Sequence, residues 1–198
     1  MIIVGGESIS SGDLNDFWAL DLETSCWIKP DIEGLESFSH KRFHTASAIG
    51  TKVVIFGGCH SEYVHMNDLN IFELEGWLSE RSPVICSKVA VSYNTPSTRW
   101  GHSAAVNGDN LIILGGRNES DINDIHQFEV SSLTWSQLEV GHPLPKPRRR
   151  HSCIFVSNCL VMFGGFDGEF YNDLNVMDMT KDQIKPEKEV EFINLVDS

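Results

Sequence analysis

The sequence predicts an all-β fold assembled from four copies of one unit, on three observations. An apolar run ending in Gly-Gly and followed by Asn-Asp occurs four times, with the second glycine at Gly6, Gly58, Gly116 and Gly165, spaced by 52, 58 and 49 residues. A period near fifty marks a repeat architecture. The flanks keep register as well: His44, His102 and His151 each stand thirteen residues before the first glycine of a pair, with Lys41, Arg99 and Arg148 three residues earlier. Finally, apolar residues occupy the fourth and sixth places after each Asp of the Asn-Asp pairs (Asp16, Asp68, Asp124, Asp173), with an acid between them. That alternation of period two reads as strand.

Each unit parses into four short strands. The first runs from the histidine, over 43–50, 101–107 and 151–157, and the second is the apolar run into the glycines, over 52–58, 110–116 and 159–165. The third starts at Asn-Asp, over 68–74, 124–130 and 173–179, and the fourth carries a tryptophan, over 26–29, 76–79 and 134–138. Gly50-Thr51 and Asn107-Gly108-Asp109-Asn110 supply hairpin turns, because glycine and asparagine tolerate the positive φ that tight hairpins demand. The product is a four-stranded antiparallel meander. The linker 78–99 is the longest, and its Val84-Ile85-Cys86 and Val89-Ala90-Val91 read as an extra or displaced outer strand, in a functional loop or an ordinary insertion.

Basic-x-x-His, thirteen residues to Gly-Gly, then Asn-Asp and a spaced tryptophan resembles the kelch repeat, whose units are the blades of a β-propeller. The resemblance covers residues 1–179, with repeats of approximately 1–40, 41–97, 98–147 and 148–179, and leaves 180–198 as a tail. It implies structural roles for the motif residues. Gly5, Gly6, Gly57, Gly58, Gly115, Gly116, Gly164 and Gly165 let crowded inner strands turn without a Cβ. The Asn and Asp side chains restart a strand by bonding their own backbone two residues on. Trp27 and Trp135 wedge between blades.

Met1 falls inside a second strand, and residues 180–198 contain no histidine, Gly-Gly or tryptophan; Glu189 to Val196 supply at most a weak outer strand. About four blades in an incomplete ring are therefore expected, from a fragment, a truncated gene model or a shortened isoform. Open propeller edges would invite association.

The net charge of −13, from 28 acids against 15 Lys and Arg, argues against nucleic acid as the primary partner. No apolar run approaches the roughly 20 residues of a membrane span. The N-terminus lacks a basic region, and five cysteines are an odd number without framework spacing, which favours reduced thiols in the cytoplasm, with the nucleus as the alternative.

In the kelch arrangement the loops between second and third strands open on one face, commonly the ligand face. Here they are 7–14, 59–66, 117–122 and 166–171, and they vary while the strands repeat. Tyr63, His65, Arg117, Phe166, Phe170 and Tyr171 are residue types that carry binding energy. Arg149 belongs to the basic run Arg148-Arg149-Arg150-His151, readable as a solvated linker or as a docking site for acidic or phosphorylated peptide. Enzyme motifs fail one by one. No Gly-x-Ser-x-Gly elbow or phosphate loop is present, His60 and His65 beside Cys59 lack metal-ligand spacing, and the nearest match to a Glu-x-x-x-Asp-x-x-x-His iron site, Glu169 and Asp173, ends on Met177. No catalytic, cofactor or metal site is expected. The resemblance implies a protein-binding module, an adaptor or scaffold with a protein or peptide partner; the alternative is a fragment of a propeller enzyme whose metal site lies partly elsewhere.

Overall fold

The computed structural model describes residues 1–61, 64–90, 92, 94–139 and 144–179. Tyr63 and the strand expected within 180–198 lie outside the described residues. The chain forms two compact units, Met1–Trp100 and Gly101–Ser198.

Among the described residues the first unit holds two larger sheets and a two-stranded pairing of Cys59–His60 with Val64–His65. Ile2–Ser8, Gly12–Leu20 and Trp27–Ile28 form the first, in sequence order. In the second, Thr45–Ile49, Lys52–Phe56, Leu69–Glu73 and Val84–Val89 form an antiparallel meander, and Ile32–Glu33 adds to Val84–Val89 in parallel. Alternation sends Val53, Ile55 and Phe72 inward against Val4, Phe17 and Ala19 of the first sheet. Phe72 lies 5.0 Å from Phe17 and 5.4 Å from Phe38 between ring centroids. Each such buried side chain contributes about 1.5–3 kcal/mol.

The second unit repeats the plan. Ser103–Asn107, Asn110–Arg117, Asp121–Glu129 and Thr134–Leu138 form a four-stranded meander, and Ser152–Val156, Cys159–Phe163 and Leu174–Asp178 a three-stranded one. Ala105, Ile112, Leu114 and Ile125 of one sheet pack with Leu160 and Met162 of the other.

The glycine pairs behave as their repetition predicts. All eight have positive φ, from 57° at Gly5 to 107° at Gly6. The ladder slips one residue between Val4 and Gly6 and again between Leu114 and Gly116, a bulge in which Asn15-Asp16 and Asn123-Asp124 oppose the single left-handed residues Gly5 and Gly115.

Two expectations are corrected. Residues 76–79 are not a strand: Glu75–Glu80 is a short α-helix that buries Trp77 in the first unit's core, and the outer strand is Val84–Val89. Trp77 follows its Asp by nine residues instead of eleven, so the chain leaves the sheet before reaching the outer position. Trp27 is not a buried wedge. It sits on a two-residue pairing and is 52% exposed, whereas Trp135, within a five-residue strand and 5.0 Å from Phe128, is buried.

Candidate functional site

The motif residues form the joints between repeats. The basic residue of each repeat opening is seated on the repeat before it by paired main-chain bonds. Lys41, Arg99 and Arg148 donate their N–H to the carbonyls of Leu14, Met66 and Ile122 at 2.9, 2.8 and 3.2 Å, and accept from the N–H of Gly6, Gly58 and Gly116 at 2.9, 2.8 and 2.9 Å. The asparagine of each Asn-Asp pair adds a third contact. Asn15, Asn67 and Asn123 donate to the carbonyls of Phe38, Pro96 and Pro145, each three residues before the basic residue.

These contacts correct the expected turn role of the Asn-Asp pair. The Asn clamps the next repeat, and the Asp receives a cation. Lys41, fully buried, meets Asp68 at 2.7 Å, and Arg148 meets Asp173 at 2.5 Å. Burial lowers the Lys41 pKa, opposed by the Asp68 charge. Two residues on, Trp18, His126 and Asn175 turn their side chains back onto Asp16, Asp124 and Asp173.

The motif histidine completes the joint. His44 places Nε2 3.0 Å from the Val4 carbonyl, just before Gly5. A methyl group added to Gly5 would meet Cε1 of His44 at 3.1 Å, and one added to Gly115 would meet Cε1 of His151 at 2.9 Å. Burial pulls both imidazoles down to a pKa of about 4, with the Val4 and Leu114 carbonyls opposing. His102 is likewise buried. The residue before each histidine is left-handed, with φ of 56° at Phe43, 62° at Gly101 and 58° at Arg150. The motif chemistry is thus structural.

The loops carry the rest. In the second unit, five of the candidate residues come together. Arg149 donates from one guanidinium nitrogen, Nη1, to both Asp121 carboxylate oxygens at 2.6 and 2.7 Å, Arg117 approaches the same carboxylate at 3.1 Å, and the Arg149 guanidinium lies 4.8 Å from the Phe166 ring centroid. Phe166 and Phe170 pack at 4.9 Å, and Phe170 is 89% exposed. Tyr171 donates to Asp167 at 2.6 Å, which raises the phenol and lowers the carboxyl pKa, and the Arg148 guanidinium stacks 3.6 Å from its ring centroid. Arg148 and Arg149 therefore spend their charge on Asp173 and Asp121. Aromatic surface, supported by neutralised arginines, is what this loop cluster offers.

In the first unit His65 lies 6.4 Å from the Trp100 ring centroid, apart from that cluster in sequence and in its own compact unit. Around it the loops are polar. Arg42 bridges Glu7 and Asp13, and Asp13 also takes the Ser61 N–H at 2.7 Å and faces His60 at 3.1 Å. Sequence reasoning missed Asp13, Asp121 and Arg42. Their signal is the shared offset: both acids stand two residues before the Asn, and both Arg42 and Arg149 directly follow the basic residue. Among the described residues no three His, Cys, Asp or Glu side chains gather as a metal site, and no helix is long and apolar enough to cross a membrane.

A family model described as the KLHDC2/KLHL20/DRC7 Kelch-repeats domain matches residues 1–165 and 82–188. The chain belongs to the kelch-repeat family. It is 29% identical to Kelch domain-containing protein 3 of Rattus norvegicus, over 91% of this chain and 51% of that protein. It is also 28% identical to Acyl-CoA-binding domain-containing protein 4 of Arabidopsis thaliana (89% of this chain, 26% of that protein) and 32% identical to Rho GTPase-activating protein gacHH of Dictyostelium discoideum (70% and 9%). The chain spans about half the length of the first of these relatives. Kelch repeats generally mediate protein interactions, and the sheets described above are its blades.

Proposed function

We propose that this chain is a protein-interaction module that takes a partner protein or peptide on the aromatic loop cluster of its second unit. The observation that carries the reading is Phe170, 89% exposed yet packed on Phe166, which is in turn held by an arginine already neutralised by Asp121. A large ring presented on a preorganised support loses little entropy on binding, which is the condition for a hot spot. The relatives support a modular role: matching segments make up 26% of a protein named for acyl-CoA binding and 9% of one named for Rho GTPase activation. The role is that of an adaptor or scaffold, with no catalysis of its own, in a reducing compartment that suits five unpaired cysteines, one of them exposed.

Affinity capture with wild-type, Phe170→Ala and Tyr171→Ala chains tests it, alongside thermal unfolding. Both variants should lose a retained partner by tenfold or more, about 2 kcal/mol at a hot spot, while exposed Phe170→Ala moves stability by about 0.5 kcal/mol or less. Undiminished capture by Phe170→Ala would show that the cluster is not the binding face.

A further inference from the structure

The linker 78–99 carries both of the chain's serine- or threonine-proline pairs, Ser82-Pro83 and Thr95-Pro96. The fold treats them oppositely. Thr95 closes a turn: its N–H donates to the Ser92 carbonyl at 3.1 Å, and its Oγ1 accepts from the Ser92 N–H at 2.9 Å. Pro96 is buried, and its carbonyl takes the Asn67 carboxamide at 3.1 Å. Ser82-Pro83 instead follows the helix Glu75–Glu80. Arg81, left-handed at a φ of 60°, turns the chain out of that helix, and a residue before proline is held to extended backbone. Leu78 to Arg81 and Pro83 are exposed, and Ser82 is half-buried. Among the described residues the Ser82 hydroxyl makes no hydrogen bond.

We infer that Ser82 is a phosphorylation site for a proline-directed serine/threonine kinase. Such an enzyme lays its substrate out in a groove and seats the next residue against a dry surface, where proline has no N–H to leave unpaired. Pro83 is open to that seating and Pro96 is not, so the fold selects one of two similar sequence signals. In the transfer the γ-phosphorus of ATP bonds to Ser82 Oγ as its bond to the β,γ-bridging oxygen breaks. The hydroxyl proton passes to the kinase's catalytic carboxylate, and ADP departs.

The phosphate meets more negative than positive neighbours. The Gly76 and Trp77 carbonyls at the helix end take the N–H groups of Ser82 and Arg81, each at 3.2 Å. The parallel pairing of Val84 with Ile32 sets Asp31 opposite Pro83, and Glu80 stands two residues before Ser82. A dianion beside helix-terminal carbonyls and carboxylates is repelled. The adjacent cation is Arg81, whose guanidinium lies 5.4 Å from the Trp77 ring centroid, and the phosphate draws it off that ring. Phosphorylation thus loosens the helix that buries Trp77 in the core of the first unit. The site owes nothing to the aromatic loops of the second unit, so either reading can fail without the other.

The test treats the full 198-residue chain with a purified mitogen-activated protein kinase, magnesium and ATP. One phosphate per chain is expected by intact mass, mapped to Ser82 by fragmentation. Ser82→Ala should abolish it with an unchanged melting temperature, Thr95→Ala should leave it in place, and Pro83→Ala should slow it about tenfold or more. A synthetic peptide of residues 75–100, which cannot bury Pro96, should accept phosphate at Ser82 and at Thr95. Hydrogen exchange then reads the consequence: the amides of Leu78 and Arg81, bonded to the Leu74 and Trp77 carbonyls, should exchange about tenfold faster or more in the phosphorylated chain. Kinase-treated Ser82→Ala should show no such change. A folded chain that takes no phosphate at Ser82, that takes it equally at Thr95, or that ignores Pro83→Ala would overturn the site. Unchanged exchange at Leu78 and Arg81 in the phosphorylated chain would overturn its coupling to the helix.

Discussion

The loop clusters of the two units hang from one frame and expose different chemistry. In both, an aspartate two residues before the clamping asparagine anchors an arginine that directly follows the buried basic residue, Asp13 with Arg42 and Asp121 with Arg149. In the first unit the surplus valence of that aspartate goes to His60 and the Ser61 N–H, so the loop is closed by polar bonds. In the second unit Arg117 takes it, and two arginine faces carry Phe166 and Tyr171, at 4.8 and 3.6 Å, where in the first unit Arg42 meets Phe43 at 5.7 Å. The frame dictates where a loop stands; the residues between Gly-Gly and Asn-Asp decide whether it offers hydrogen bonds or rings. Among the described residues, only the second arrangement leaves a large apolar ring as exposed as Phe170 on a fixed base.

The widest gap between the units should appear when the buried cation is removed. Lys41→Met leaves Asp68, whose side chain is 9% exposed, with the more distant Lys88 ammonium at 4.0 Å, so the cost falls toward the lower end of the about 3–5 kcal/mol of an unpaired buried carboxylate. Arg148→Met leaves Asp173, 43% exposed and able to hydrate, for a cost of about 1 kcal/mol. Chemical denaturation of the two variants measures the difference. Equal losses would mean that the joints are energetically equivalent despite their unequal exposure. Lys41→Met combined with Asp68→Leu should recover most of the deficit.

A second effect runs through the histidines and treats both units alike. His44 and His151 titrate near 6.5 when unfolded and at about 4 when folded. Between those values the unfolded chain binds more protons, so stability is complete above about pH 6.5, falls through the interval, and has lost this contribution below about pH 4. At about 1.36 kcal/mol per pKa unit the loss is about 3 kcal/mol for each site. His44→Gln, which keeps a donor for the Val4 carbonyl without a titratable ring, should flatten part of the acid limb of a melting-temperature profile. A profile unchanged by that substitution would place the acid sensitivity in the carboxylates.

These joints explain what the sequence discloses and what it conceals. The strands are legible because one residue type recurs for one reason, as with the eight glycines, all at positive φ. The left-handed position before each histidine is hidden because Phe43, Gly101 and Arg150 share a conformation and no chemistry. The Asn clamp is hidden for a related reason: its acceptors are the backbone carbonyls of Phe38, Pro96 and Pro145, which leave no side-chain signature. Arg149 reads from sequence as a cation offered to a ligand because Asp121, its partner, lies 28 residues upstream. Phe166, Phe170 and Tyr171 are adjacent in sequence and in space, so their cluster is the part of the site that composition alone makes visible. The helix over Glu75–Glu80 is too short to show a period, and Trp77 drew the strand prediction by resembling its repeat neighbours.

The smallest expected effect sharpens the comparison within the second unit, between its two hairpins. Asn107-Gly108-Asp109-Asn110 turns with glycine at the positive φ of 58°, and Asp109 secures the turn by accepting from the N–H groups of Val130 and Ser131. The equivalent turn of the next sheet holds Ser157 at φ 48° and Asn158 at 66°, so two non-glycine residues occupy left-handed backbone in succession. Asparagine tolerates that region and serine does so less well, while Asn-Gly is the pair that a two-residue turn with both φ positive prefers. Ser157→Asn with Asn158→Gly should therefore relieve native strain by more than the extra flexibility of glycine costs the folded state, for a gain of about 0.5–1 kcal/mol. Met179 bonds to the main-chain carbonyl of residue 158, at 2.9 Å, so the substitution removes no side-chain contact from that joint. Thermal unfolding should show a small rise in melting temperature. A loss of stability would mean that the Ser157 and Asn158 side chains hold the turn themselves, and that the terminal hairpin is built on a different principle from its neighbour.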